Sequence, residues 1–262
     1  MSTFEELLQW PAGSADRMRA KLATGEVAWV VISGKMCSGK ELVAGNLILP
    51  GTKEFISYGN ILRENLDFVL DEVVPLYQNG ESLAEQARVV KRILDYNDVN
   101  SLSLVLKLIS LLRSGEEFTP WSRSNAMRDI LQHMGSDYLP DANYLPNLAA
   151  ARAKILIENG CSIVAPGSRF LQDVEIPRSV GAFTVRLDVT RETQLRRLKA
   201  RDGLEPSEEL MKALEHPGET ELDDYPHDIR VNNDYEETPE GPVLLMAEVQ
   251  KKVDEFLAGR MK

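Results

Sequence analysis

Cysteine is scarce in this chain. Cys37 and Cys161 are its only two in 262 residues and share no paired spacing, so neither a disulfide framework nor a zinc site is implied. Basic residues are outnumbered: 30 Lys and Arg face 41 Asp and Glu, for a net charge of −11. That balance argues against broad, non-specific nucleic-acid binding, which needs a large basic surface. Local basic clusters could still serve a small anionic ligand, because the field in a pocket can oppose the overall charge. No apolar run approaches the ~18 residues of a membrane span. Met1–Trp10 carries Glu5 and Glu6 and lacks the basic flank and apolar core of a secretion signal. A soluble, cytoplasmic protein is expected. Internal repeats and low-complexity tracts are absent too.

What is present is enough apolar residue, 43%, for a sizeable core. The chain reads as one large α/β domain with insertions, or a domain plus a mobile lobe. Its most informative stretch runs from Val30 to Glu41. An apolar strand, Val27–Ser33, ends in Gly34-Lys35-Met36-Cys37-Ser38-Gly39-Lys40 and passes into a helical Glu41–Leu49. This is the layout of a phosphate-binding P-loop. Glycines let the backbone curl so that N–H groups point inward, the helix offers its positive end, and Lys40 can reach the β/γ-phosphates of a nucleotide. The usual Ser/Thr after the lysine, a Mg²⁺ ligand, is Glu41 here.

Elsewhere the pattern predicts strands at 55–57, 161–165, 183–189 and 229–231, alternating with helices at 61–74, 124–134, 145–159, 192–201 and 243–257. Residues 3–25 read as one or two amphipathic helices, and 83–113 as helix-rich. Strands alternating with helices imply a parallel sheet with helices on both faces. Three further clusters carry charge. Gly59 and Arg63 follow the second strand, where a guanidinium could meet a second phosphate or simply face solvent. Arg128 and Gln132 lie four residues apart on one helical face, suited to a phosphate and a base edge or to a plain polar surface. Arg191, Arg196, Arg197, Lys199 and Arg201 form a basic helix, either a solvated face or a lid over a transferring phosphoryl group. His133, His216 and His227 read as structural or exposed groups.

Taken in order, these pieces resemble the P-loop nucleoside-monophosphate kinases, and among them the bacteriophage deoxynucleoside monophosphate kinases. Ser33 to Glu41 is similar to that group's Ser-Gly-Lys-x-x-Ser-Gly-Lys-acidic loop, which it shares with phosphomevalonate kinase. Ser57–Arg63 resembles the Thr-Gly-Asp-Leu-Leu-Arg segment of adenylate-type kinases, with Asn60 in place of Asp. Arg128-x-x-Leu131-Gln132-x-x-Gly135-Ser136-Asp137 is similar to the acceptor helix, and Ser168–Glu175 to the run after the third strand. Glu219–Tyr225 and Asn232–Asp234 resemble the C-terminal Ser-Glu-Thr-x-Leu-Asp-Asp and Asn-Asp signatures.

The resemblance implies a P-loop NTPase fold in one kinase domain over 1–262. The core would be 26–74 and 121–262, with a helical insertion at 75–120 and a lid at 191–215. It implies ATP held by Gly34, Lys35, Cys37, Ser38, Gly39, Lys40 and Glu41. An acceptor monophosphate would be held by Gly59, Arg63, Arg128 and Gln132, with Lys40, Arg169, Arg197 and Arg201 acting on the transferring group. Partners would be small nucleotides, with a homodimer left open. The family's Asp at the end of the third strand aligns with Gly167, so Mg²⁺ would rest on phosphates and water, or on Glu41 or Asp173 through water. Two rivals stay open: a kinase of a modified base in phage DNA, and a non-catalytic nucleotide-binding module.

Overall fold

The computed structural model describes residues 13–94, 96–114, 119–121, 125–136, 143–202, 211–212, 214–236 and 238–260, apart from the side chains of Asn125, Arg128, Gln132, Ser136 and Asp202. These residues fall into two compact units, one of residues 1–57 with 146–262 and one of residues 58–145. The helical insertion expected at 75–120 lies within the second unit.

The first unit is built on a wholly parallel five-stranded sheet in the order β2-β3-β1-β4-β5. Its strands are β1 (Trp29–Gly34), β2 (Thr52–Phe55), β3 (Cys161–Ser168), β4 (Phe183–Asp188) and β5 (Ile229–Asn232). Val30, Val31 and Ile32 of β1 are fully buried, as a central strand covered on both faces requires. One face packs Val43, Ala44 and Leu47 of α2 (Lys40–Asn46) and Leu245, Val249 and Val253 of α11 (Glu240–Arg260) over Val164, Val185 and Val231. Also in this unit are α1 (Ser14–Ala23), α8 (Leu171–Ser179), α9 (Arg191–Asp202) and the short α10 (Pro217–Thr220); α7 (Tyr144–Glu158) spans the boundary. The connection from β1 leads to β2 on one side and that from β4 to β5 on the other. The chain therefore leaves the carboxyl ends of β1 and β4 in opposite directions, which opens a crevice there, the place where open α/β sheets bind ligands.

Three boundaries differ from the sequence pattern, each for a local reason. Strand β2 is Thr52–Phe55, an edge strand with three exposed residues, so it shows no apolar alternation. Its Lys53 closes the end of α2 by donating to the carbonyls of Ala44, Gly45 and Leu47 at 3.1, 2.8 and 2.9 Å. Strand β3 continues through Pro166. The Ile163 amide bonds to Ala28 on the β1 side, and the Val164 carbonyl accepts from Ile56 on the other, so the missing Pro166 donor faces the side where β2 has ended. The register then slips, pairing Ile32 with Pro166 and Ser33 with Ser168, and the extra residue is Gly167 at φ +87°.

The second unit is helical: α3 (Tyr58–Gln78), α4 (Leu83–Leu94), α5 (Asp98–Ser114) and α6 (Asn125–Ser136). Helix α3 packs on α4 and α6, and α5 on α4 and α6. Leu66, Val69, Val90, Leu104, Leu108 and Met127 are completely buried among them. Helix α3 runs through Pro75, because both that residue and Asp71, whose carbonyl loses its donor, are exposed to water.

Candidate phosphate-binding site

The loop between β1 and α2 opens at the switch point of the sheet. Gly39 takes φ +90°, and a Cβ there would lie 2.7 Å from the Asn233 side-chain nitrogen, so both conformation and space demand glycine. Cys37 adopts φ +61° without being glycine.

Five consecutive carbonyls of the loop accept from side chains. Lys40 Nζ donates to Gly34 and Lys35 at 2.7 and 2.8 Å, and Gln194 to Met36 at 3.1 Å. Arg197 donates to Cys37 at 3.1 Å and Asn233 to Ser38 at 2.8 Å. A trans peptide points its N–H opposite to its C=O. Gripping the Met36 and Ser38 carbonyls therefore sets the direction of the Cys37 and Gly39 amides, as in an anion-binding nest, while the Ser38 amide turns back to the Lys35 carbonyl at 3.1 Å. Ser38 Oγ is buried there with no hydrogen-bond partner. Burial pulls the Lys40 ammonium down to about pKa 8, against the opposing pull of Glu41 and Glu219.

The frame that grips the loop comes from sequence far downstream. Arg197 also donates to the Tyr235 carbonyl at 3.0 Å, and the Asn233 amide is held by Asp188 at 2.7 Å. Asp234 accepts from the Thr190 amide and hydroxyl at 2.9 and 2.8 Å, tying the end of β5 to the start of α9. Beneath the loop, Lys35 pairs with Asp223 at 2.8 Å; buried Arg186 joins Asp223 to Asp188. His227 Nε2 lies 3.4 Å from Ser33 Oγ, and burial, helped by Arg186, lowers its pKa to about 4. One more charge enters the loop. Glu219 of α10, its side chain 4% exposed, accepts from the Met36 amide at 2.5 Å and meets Arg169 at 3.4 Å.

Beside the loop is a cavity of about 350 Å³, lined among others by Cys37, Leu42, Arg197, Tyr235, Pro242 and Leu245. Its lining combines apolar side chains, a ring and a guanidinium, which suits a flat heteroaromatic group.

Of the other residues named from sequence, Arg169 is half-exposed and Arg201 lies exposed in the last turn of α9. Glu41 is exposed on α2. Asp173 is buried and accepts from the amides of Arg169 and Phe170 at 2.8 and 3.1 Å, closing the start of α8; burial raises its pKa to about 6. Gly59 and Arg63 begin α3, and the Arg63 guanidinium donates to the Gly59 carbonyl at 3.0 Å and lies 5.8 Å from the Trp121 ring. Arg128 and Gln132 are on α6, their side chains outside the described residues, as are 203–210 and 213 of the expected lid. Sequence reasoning missed Gln194 and Trp121 and gave Asn233 no role of its own. Asn233 had a signal, the Asn232-Asn233-Asp234 run; Gln194 had none.

No family model matches the chain, and no curated protein matches it. Among solved structures, a dephospho-CoA kinase from Campylobacter jejuni is similar, at 10% identity and a TM-score of 0.38, over 90% of this chain and 98% of that one. A likeness of that size carries no argument about chemistry, and the reading of the site rests on its own geometry.

Proposed function

We propose that this chain transfers a phosphoryl group from ATP to a (deoxy)nucleoside monophosphate. The observation that carries the reading is the gripped P-loop at the sheet's switch point, with Lys40 in its curl and an aromatic-lined cavity beside it. The loop amides and Lys40 would hold the donor phosphates, and the cavity between Arg197, Tyr235 and Leu245 would take the base. Arg169 and Arg201, with Arg197 at the loop, would bear on the transferring group. In the helical unit, Gly59, Arg63, Arg128 and Gln132 would bind the acceptor. Such chemistry needs no side chain of special basicity, because position and charge neutralisation supply most of the effect.

Among the described residues no group of three or more His, Cys, Asp or Glu is arranged to hold a metal. Those residues therefore form no preassembled cage for Mg²⁺. That ion commonly keeps its waters and needs few protein ligands, and it would arrive with the nucleotide phosphates.

A second reading, a nucleotide-binding module without turnover, draws on Gly167 where the resembled enzymes carry Asp, and on Glu219 at the loop amide. A coupled assay of ADP release across a panel of ribo- and deoxyribonucleoside monophosphates separates the two. Turnover with at least one monophosphate, above ATP hydrolysis alone, is expected. ATP binding with no acceptor-dependent release across the panel selects the second reading.

A further inference from the structure

The carboxylate of Glu219 takes the Met36 amide, next in the loop to the Cys37 amide that the gripped carbonyls orient. Its Oε2 takes the Met36 amide at 2.5 Å, and its Oε1 faces the Arg169 guanidinium at 3.4 Å. An amide of the loop and a cation at its edge are the groups a phosphate oxygen would use. The turn that delivers Glu219 is held in place independently. Glu221 accepts from the Leu171 amide at 2.8 Å, Leu222 is buried, and His216 Nδ1 accepts from the Gly218 amide at 3.1 Å. A Cβ on Gly218 would come within 3.7 Å of both Phe170 and Arg169, so the turn is seated closely on the start of α8. Buried carboxylates need such partners, and a phosphate arriving at the same amide would meet a like charge at hydrogen-bond distance.

We infer that Glu219 is an internal occupant of the phosphate site: its carboxylate closes the loop in the free protein and must leave before a polyphosphate can bind. This rests on reading the loop as a phosphate site, and it adds a regulatory step to that site. Release of Glu219 uncovers the Met36 amide and frees Arg169 together, so the cation becomes available only once the loop is filled. The binding-competent fraction of the free protein is then small, and observed affinity falls by that fraction.

The test uses inorganic tripolyphosphate, which has the charge but no base, and compares wild type with Glu219→Gln by calorimetry. The variant, which keeps an oxygen for the Met36 amide but loses the charge and the Arg169 pair, is expected to bind about tenfold more tightly, as weakening a contact that closes roughly nine sites in ten would do. In wild type, tripolyphosphate is expected to speed hydrogen exchange across residues 214–222 as the turn lets go. Tighter binding by the variant without faster exchange in wild type means simple charge repulsion, and overturns the inference. So does unchanged or weaker binding by the variant, or protection of 214–222. If neither protein binds tripolyphosphate or ATP, the phosphate reading of the loop falls, and the occupant with it. Should the variant fail to fold, the exchange measurement on wild type decides alone.

Discussion

In the sheet unit Lys40, Gln194, Arg197 and Asn233 each end on a carbonyl of the P-loop. In the helical unit, Arg63 ends on its own helix and on the ring of a half-exposed Trp121. In the first region cations and amides spend their hydrogen bonds fixing the backbone, which on the proposed function would be the receptor once Glu219 has left. The second offers a long cation resting on an exposed ring, and elsewhere in the same unit Phe68 and Val99 face water. On the proposed function, fixed backbone would suit the phosphates of a donor, which are the same in every nucleotide, while acceptor recognition would rest on side chains that can rearrange. Preorganisation of this kind cuts the ordering cost of binding.

Lys40→Met should break the comparison hardest. Turnover is expected to fall by about 10²–10³, the loss typical of one donor at developing charge. Stability should not fall with it. The folded-state pKa of Lys40, about 8, lies below the ordinary lysine value of 10.5, so its burial costs stability at neutral pH and that cost fades only as pH rises from 8 towards 10.5. Urea melts at pH 7 should show the variant equal to or more stable than wild type. A clear loss would make Lys40 a structural post and leave the donor site without its clamp.

Asn233→Ala comes next. It leaves the Ser38 carbonyl without its donor in buried surroundings, at a cost of about 1–3 kcal/mol. It should also weaken ATP binding, since the carbonyl then competes for Lys40 or water and the Gly39 amide loses its fixed direction. A variant that loses stability but binds ATP as wild type does would show that the frame supports the fold and not the receptor.

Arg63→Ala and Arg128→Ala probe the other region. Each is expected to raise the acceptor KM about tenfold, roughly 1.4 kcal/mol, with ATP affinity within a factor of two. Equal loss of ATP affinity in both would erase the division between a fixed donor region and an adaptable acceptor one.

How much of this was legible in the sequence follows from the same contrast. The loop between β1 and α2 could be singled out because its pattern is local: Gly34, Gly39 and Lys40 fall within seven residues, between a strand and a helix that announce themselves. The parallel sheet was legible from the alternation of buried strands with helices. The grip on the loop was not, because Gln194 and Asn233 lie some 160 and 195 residues away and act through single hydrogen bonds. Asp173 and Asp234 carry no mark that distinguishes a buried cap from a ligand. Edge strand β2 was displaced because its exposed Thr52 and Glu54 have no core to alternate with.

Acid should separate two buried groups within the sheet unit. His227 has a folded pKa of about 4, below the ordinary histidine value of 6.5, so the stability it contributes is complete above about 6.5 and is lost as pH falls towards 4. Asp173 has a folded pKa of about 6, above the ordinary aspartate value of 3.8, so its contribution is complete below about 3.8 and is lost as pH rises through 6. His227→Gln should therefore gain on wild type at pH 5 relative to pH 7.5, and Asp173→Asn should gain at pH 7.5 relative to pH 5. Urea midpoints at the two values check both signs, and parallel shifts in the two variants would refute them.

The smallest expected effect falls on Cys37, and it asks whether the loop is held by its own backbone or by its frame. Cys37 occupies the left-handed region at φ +61°, a conformation that costs a side-chain-bearing residue roughly 1–2 kcal/mol. Its carbonyl is fixed by Arg197, and the neighbouring carbonyls by Gln194 and Asn233. Cys37→Gly removes the local strain but gives the unfolded chain more freedom, worth about 0.4–1 kcal/mol in the opposite direction. The two should nearly cancel, leaving stability within about 0.5 kcal/mol of wild type and ATP affinity unchanged. Affinity is the informative measurement. If the frame dictates the loop, glycine changes nothing, because three side chains still turn the carbonyls away from the ligand. If the backbone preference of Cys37 shapes the cradle, glycine loosens it and ATP binding weakens. A drop in affinity at constant stability would thus move the origin of the receptor from the distant Gln194, Arg197 and Asn233 back into the loop itself.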